Sequence, residues 1–211
     1  PTRATPEVKL VDTFNGAGGN VTLSLNTTAS LDAMNLIQSG SAFYQRVGRR
    51  IEMQSLHLYG NLVQTGTSRA YNDYVRIMVV YDRQANGALP TIGTILANYD
   101  QSGTSSTTVY SSINPDERER FLVVADIKIA APATVTNTGS TGAVDGVQPT
   151  FKIDRFIRLG GLTTHFKADS SPAVIGDIAT GSLILIGFGE NASGDEGWQA
   201  NLAWRIRYRD T

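Results

Sequence analysis

No cysteine occurs among the 211 residues. That removes disulfide scaffolds, zinc–thiolate and iron–sulfur centres, and cysteine nucleophiles. Proline is scarce, at 7 residues. No run of 18 apolar residues is present, so no membrane-spanning helix is expected. No basic-then-apolar leader opens the chain at Pro1. Neither sign of charge dominates: 18 Lys plus Arg face 19 Asp plus Glu, a formal charge of −1. The chain as a whole therefore exerts no net pull on nucleic acid.

Catalytic signatures are equally sparse. The two histidines, His57 and His165, show no HxH, HxxxH or HxxE spacing, so a cupin-type metal site has no donor cluster on one strand. His57 reads as a hydrogen-bonded strand residue beside Tyr59, and His165 as a loop or interface residue. There is no Gly-x-Ser-x-Gly elbow. The glycines around Gly16 precede neither a lysine nor a helix, so they are not a phosphate loop. Asp126, Glu190 and Glu196 are candidate paired carboxylates, but ordinary surface or ion-paired roles explain them as well. The acidic stretch 189–197 lacks the ligand register of a calcium hand and reads as an exposed turn. No enzyme, metal or cofactor is expected. Asn-x-Ser/Thr sequons at Asn20, Asn26 and Asn191 matter only in a secreted protein.

What is present is a folding core: 41% of residues are hydrophobic, with 21 glycines. Most of the chain reads as strand. Val8-Lys9-Leu10-Val11 and Val21 to Leu25 are short candidates, separated by a Gly-rich loop over 15–20. Ser30 to Ile37 is the one arguable helix, of one or two turns. Arg50 to Tyr59 alternates until its phase blurs at Ser55 to Leu58, which points to a bulge or two buried faces. Tyr74 to Tyr81 is β-rich, and Asn86-Gly87 marks a loop. In Arg118 to Ala130, residues Phe121, Val123, Ala125, Ile127 and Ile129 share one face. Phe151 to Leu159 forms a strand with a candidate bend at Arg155. Leu183 to Phe188 is nearly all apolar and predicts a central buried strand. From Trp198 to Tyr208 the pattern has a period of two, with Trp198, Ala200, Leu202, Trp204, Ile206 and Tyr208 on one face and Gln199, Asn201, Ala203, Arg205 and Arg207 on the other, an 11-residue strand of roughly 35 Å.

No helical run follows a strand, which argues against βαβ units. Seven to nine strands joined by unequal loops fit an all-β, eight-stranded antiparallel jelly-roll sandwich with long inter-strand loops. The loops 98–115, with one short strand near Val109, and 132–149 exceed what a core needs and predict functional or interface roles.

Positive charge is the strongest local signal. Arg46, Arg49 and Arg50 cluster before one strand, Arg118 and Arg120 open another, and Lys152, Arg155 and Arg158 mark a third. Arg205, Arg207 and Arg209 alternate along the last, a stripe of about 13 Å. Such a stripe is a solvated, ion-paired face, a phosphate-contacting surface or a subunit seam. Tyr44, Trp198 and Trp204 are stacking candidates, with the core reading favoured for the two tryptophans.

Several segments carry a resemblance. Arg46-Val47-Gly48-Arg49-Arg50 through Gly60, Tyr81-Asp82-Arg83, Arg118-Glu119-Arg120-Phe121, Lys152-Ile153-Asp154-Arg155-Phe156 and Leu202 through Asp210 resemble, in order, strand segments of the capsid proteins of geminiviruses and related circular single-stranded DNA viruses. The resemblance spans about residues 44–211. It implies a 46–211 jelly-roll capsid domain preceded by an interface-forming segment over 1–45. It also implies a homo-oligomeric shell of 60 copies or a multiple, a single-stranded DNA genome, and localisation to the virion and, during assembly, the host nucleus. Members carry a basic N-terminal arm; residues 1–45 have no basic cluster, so the arm is expected ahead of Pro1. The host receptor is not implied. A β-sandwich carbohydrate-binding or adhesin module is the alternative, with Tyr71, Tyr74, Tyr99 and Tyr110 in a sugar groove.

Overall fold

The computed structural model describes residues 7–13, 21–64, 73–101, 105–131, 150–191 and 198–210. The described strands are β1 (Val8–Thr13), β2 (Val21–Leu25), β3 (Ser30–Ala33), β4 (Arg50–Gln64), β5 (Asp73–Asp82), β6 (Leu96–Tyr99), β7 (Ser105–Ser106), β8 (Ser112–Ile113), β9 (Phe121–Ala131), β10 (Thr150–Phe166), β11 (Ile178–Thr180), β12 (Ser182–Gly189) and β13 (Trp198–Asp210). Helix among the described residues is limited to Ile92–Ile95 and two 3₁₀ turns.

The strands form two large antiparallel sheets. One has six strands in the order β1-β13-β4-β10-β11, with β2 continuing along the same edge of β13 as β1. The other has the order β3-β12-β5-β9. A small sheet, β7-β6-β8, is ladder-paired to neither. Along the chain β1 and β2 enter the first sheet, β3 the second, β4 the first, β5 and β9 the second, β10 and β11 the first, β12 the second and β13 the first, so strands from the first 33 residues enter both.

The period-two patterns explain which faces meet. Trp198, Ala200, Leu202, Trp204, Ile206 and Tyr208 all point inward from β13 and are buried. They pack with Leu56 and Leu58 of β4 and with Ile77, Val79, Leu183 and Leu185 of the facing sheet. The indole of Trp204 donates to the Met34 carbonyl at 3.0 Å, so its polar edge is satisfied inside the core. The four-stranded sheet is covered on its other face too. Met78, Val80, Ile184 and Ile186 pack there against Ile95, Leu96 and Phe121. This double burial is why Leu183 to Phe188 lacks alternation.

Four expectations need correction. Ser30 to Ile37 is not helical: β3 pairs with β12, and the irregular chain beyond it is anchored by buried Asn35. The Asn35 side chain donates to Thr164 Oγ1 at 2.7 Å and Gly181 O at 2.9 Å and accepts from Leu183 N at 2.9 Å. These bonds and the strand ladder outweigh a helix too short to recover its nucleation cost. The face shared by Phe121 through Ile129 is in fact divided. A bulge opposite Val79 and Val80 sends Phe121 and Val123 outward and Leu122, Val124, Ala125, Ile127 and Ile129 inward.

The bend near Arg155 falls instead between Arg158 and Leu162, where Gly160 (φ 61°) and Gly161 (φ 85°) supply the left-handed backbone. Val109 sits buried in a turn, not in a strand; the short strands around it are β6, β7 and β8. The blurred phase in β4 is a bulge: Ser55 pairs with Arg207 and Met53 with Tyr208, leaving Gln54 extra. The loops over 15–20 and 132–149 lie outside the described residues.

Candidate nucleic-acid interface

Residues directly opposite in an antiparallel ladder share a face, so the register maps the outward side of the six-stranded sheet row by row. One row runs Leu10, Arg207, Ser55, Arg158. The next runs Asp12, Arg205, His57, Phe156. Ala203, Tyr59 and Asp154 follow, then Asn201, Asn61 and Lys152. Toward the other end lie Val8, Arg209, Glu52 and Thr163, with Arg50 and His165 beyond. This face carries six formal cations, Arg50, Lys152, Arg158, Arg205, Arg207 and Arg209, against three carboxylates, Asp12, Glu52 and Asp154. A chain of net charge −1 therefore concentrates positive charge on one side.

The cations differ in how they are held. Arg205 makes a two-pronged bond to Asp12, at 2.6 and 2.7 Å. Arg50 pairs with Glu52 at 2.9 Å. Lys152 reaches Asp154 at 3.1 Å and is largely exposed. His57 Nε2 lies 2.9 Å from Asp154, and the His57 ring lies 5.1 Å from that of Tyr59. The His57 hydrogen bond, with a lesser contribution from Lys152, holds the Asp154 carboxyl below the usual carboxylate range. Arg158 and Arg207 are exposed and have no ionic partner among the described residues; they flank Ser55 from the two neighbouring strands, about 10 Å apart. Phe156, 63% exposed, stands in the row beside them. Cations around an exposed ring are the elements of a single-strand surface: charge follows the backbone and the ring accepts a base.

The other predicted arginines are elsewhere. Arg46 is buried and internal. Its guanidinium donates to the carbonyls of Ile37 (3.0 Å), Gly48 (2.8 Å) and Ala168 (3.1 Å), pairs with Asp169 and stacks 3.9 Å from the Phe166 ring. It pins the 37–48 loop and presents no charge to a phosphate. Arg120 is likewise engaged, two-pronged on buried Asp82 at 2.9 and 2.8 Å. Arg118 is exposed in the preceding turn, 3.6 Å from Glu119. Arg49 is exposed at the start of β4. Arg155 leaves the outward rows and lines, with Lys128 and Lys152, an opening of about 250 Å³ between the edges of β9 and β10.

Trp198 and Trp204 are core residues. Tyr44 is exposed on the loop pinned by Arg46, beside Phe43 and Val47, the last 71% exposed. Of the tyrosines weighed for a sugar groove, Tyr71 lies outside the described residues. Tyr74 and Tyr110 stack with centroids 5.0 Å apart. Tyr99 bonds to Asp116 at 3.1 Å. Sequence reading missed Phe156, His57 and Tyr59 as members of the basic face. The available signal was that Phe156 sits two residues from both Asp154 and Arg158; which strands flank it could come only from the register. Residues 192–197 of the acidic turn lie outside the described residues, and among the described residues no three acidic or histidine side chains cluster as metal donors.

No family model matches the chain. No curated protein matches it either. Among solved structures it is similar to a chain of Desmodium yellow mottle tymovirus, at 13% identity and TM-score 0.34, covering 100% of this chain and 91% of that one. It is similar to the 60-mer BFDV capsid protein at 9% identity and TM-score 0.30, covering 99% and 96%. A chain of the infectious bursal disease virus Gx strain follows at 12% identity and TM-score 0.28, covering 96% of this chain and 33% of that one. TM-scores at this level do not establish a shared fold.

Proposed function

We propose that this chain is a structural capsid subunit that assembles with copies of itself into a closed shell around single-stranded DNA. The observation that carries the reading is the outward face of the six-stranded sheet, where cations outnumber carboxylates two to one and an exposed phenylalanine stands among them. Phosphate contacts of this kind need no base recognition, so packaging is indifferent to sequence. Counterion release on contact makes the binding fall steeply with salt.

The strand orders β1-β13-β4-β10 and β3-β12-β5-β9 support an eight-stranded jelly roll, with β1 and β2 acting together as its first strand. The basic face then lines the interior. Closure needs repeated heterologous contacts. Phe43, Tyr44 and Val47, exposed on a loop that buried Arg46 makes rigid, are the apolar centre of one such contact. The role is structural and not catalytic, and the parentage follows the resemblance to geminivirus and related capsid proteins.

The test is negative-stain electron microscopy of purified protein, with the 260/280 nm absorbance ratio read on the same sample. Uniform closed particles with a raised ratio are expected. Arg158→Glu combined with Arg207→Glu, which breaks no ion pair among the described residues, should leave particles or monomers folded by circular dichroism and return the ratio to that of protein alone. Filled particles from the double variant would remove the genome role of this face. Monomers alone, across salt and pH, would remove the shell.

A further inference from the structure

The two sides of the sandwich, where the sheet edges meet, are unlike. On one side β2 and β3 come together, and Ser30 Oγ donates to the Ser24 carbonyl at 3.1 Å. The loop that follows β3 projects from this side, and its tip is tied to β1 and β13. Lys9 Nζ donates to the Gln45 carbonyl at 2.9 Å, and Val47 N donates to Asp210 at 2.8 Å. Phe43 and Tyr44 at the tip are 53% and 57% exposed, and the Tyr44 hydroxyl has no hydrogen bond among the described residues. Over residues 38–48 the sole charged side chain is that of Arg46, which is buried.

On the other side β9 and β10 are the edges, since β11 pairs with β10 only at His165 and Phe166. The opening of about 250 Å³ lies between them; a cavity of about 150 Å³ already accepts a benzene ring. Ile127 and Ile129 line it from β9, and Phe151 and Ile153 from β10. Its charged lining is cationic: Lys128, Lys152 and Arg155. The lysines are tied to Asp126 and Asp154 on their own strands, at 3.6 and 3.1 Å. Arg155 is exposed and has no ionic partner among the described residues. Phe151 to Arg155 pair with Leu62 to Leu58 of β4, whereas the loop ends just before Arg50. Loop and opening are therefore roughly 30 Å apart along the strand direction, so the loop of one chain cannot fill its own opening.

We propose that Phe43 and Tyr44 of one copy seat in the β9–β10 opening of the next copy. An aromatic ring suits the apolar floor, and its negative face suits a guanidinium at the rim. The loop brings no exposed cation against Arg155 and the two lysines, so like-charge repulsion does not oppose the contact. Arg46 fixes the loop beforehand through the carbonyls of Ile37 and Ala168, so little freedom is lost on docking. Because loop and opening lie on unlike sides, the contact is heterologous. Each copy gives its loop to one neighbour and its opening to another, and repetition builds a ring when the rotation closes. The contact rests on the shell reading above, for which it supplies the surface that receives the loop.

The absence of cysteine makes cross-linking specific. Ser41→Cys marks the loop and Ala130→Cys the strand beside the opening; both positions are exposed, and neither is a contacting residue. Each variant alone and an equal mixture of the two are treated with a short bismaleimide under assembly conditions. The mixture should give a dimer that joins the unlike variants, identified by mass spectrometry of the linked peptides. Adding Phe43→Ser and Tyr44→Ser to the Ser41→Cys chain should lower its yield about tenfold. Adding Arg155→Glu to the Ala130→Cys chain should lower it about threefold. No unlike linkage, linkage of Ser41→Cys only to itself, or linkage that survives loss of both rings in a folded variant would overturn the contact. Closed particles of the parent under the microscope, without the unlike linkage, would keep the shell and remove this contact. The unlike linkage in protein that forms no closed particle would support the contact and remove the shell.

Discussion

Arg76 and Arg207 occupy comparable places. Each lies mid-strand on the outward side of a large sheet, Arg76 in β5 and Arg207 in β13. Arg76 is buried, bonded to both Asp126 carboxylate oxygens at 2.8 Å and to two carbonyls of the covering segment. Arg207 is exposed and has no ionic partner among the described residues. The difference lies in what covers the sheet. Leu89, Ile92, Ile95, Leu96 and Ile113 pack on the four-stranded sheet, and the carbonyls of Val109 and Ser111 turn Arg76 into an internal staple. Among the described residues nothing comparable covers the rows around Arg207, so its charge stays available. One residue type on one kind of face thus stabilises the fold in the first case and offers a ligand surface in the second.

The sharpest way to break the contrast is to remove both arginines in turn. Arg76→Ala leaves Asp126 and two carbonyls without their donor and should cost about 3–5 kcal/mol, the usual penalty for halving a buried pair. Urea unfolding reads the loss. Hydrogen exchange should show the 105–113 segment opening before the rest. Equal stability of this variant and the parent would mean that Arg76 is not a staple.

A smaller effect separates the two faces by pH. Burial pushes the Asp126 carboxyl up, but the bonds from Arg76, with Lys128 nearby, more than offset it and hold it below the ordinary value of 3.8. A depressed carboxylate contributes stability above its unfolded pKa and loses it as pH falls through the folded value. Acid unfolding below about pH 4 should therefore draw on Asp126, and Asp126→Asn should flatten that limb of the stability curve. Asp154, depressed as well but on the solvated face, should leave the limb unmoved when replaced by Asn. A shared loss in both variants would erase the distinction.

This contrast explains what was readable in the chain. The alternation of β13 sorted its core face from its charged face because that pattern is local and the strand is uniformly two-faced. The strand at 183–188 was legible for the opposite reason, having no polar face at all. Arg46 and Arg120 were misplaced because their roles depend on remote partners: Ala168 and Asp169 for one, Asp82 for the other. Nothing near Arg46 in sequence marks it as internal. Ser30 to Ile37 failed similarly, since its non-helical path is held at Asn35 by Thr164, Gly181 and Leu183. The bulge in β9 was invisible because an unbroken apolar run lets either face turn inward. The basic face as a two-dimensional object needed the β4–β10 and β4–β13 registers together.

The smallest expected effect is the most discriminating. Arg207→Ala should change unfolding free energy by no more than about 0.5 kcal/mol, because a solvated side chain without an ion pair contributes little to the fold. The same change should weaken binding of a single-stranded oligonucleotide and reduce by about one the number of ions released, read as a shallower slope of log affinity on log salt. Phe156→Ala should weaken binding with the salt slope unchanged, since a stacking ring displaces no counterion. A stability loss in Arg207→Ala as large as that of Arg76→Ala would make the two faces equivalent after all. An unchanged salt slope would mean that the available charge of Arg207 meets no phosphate.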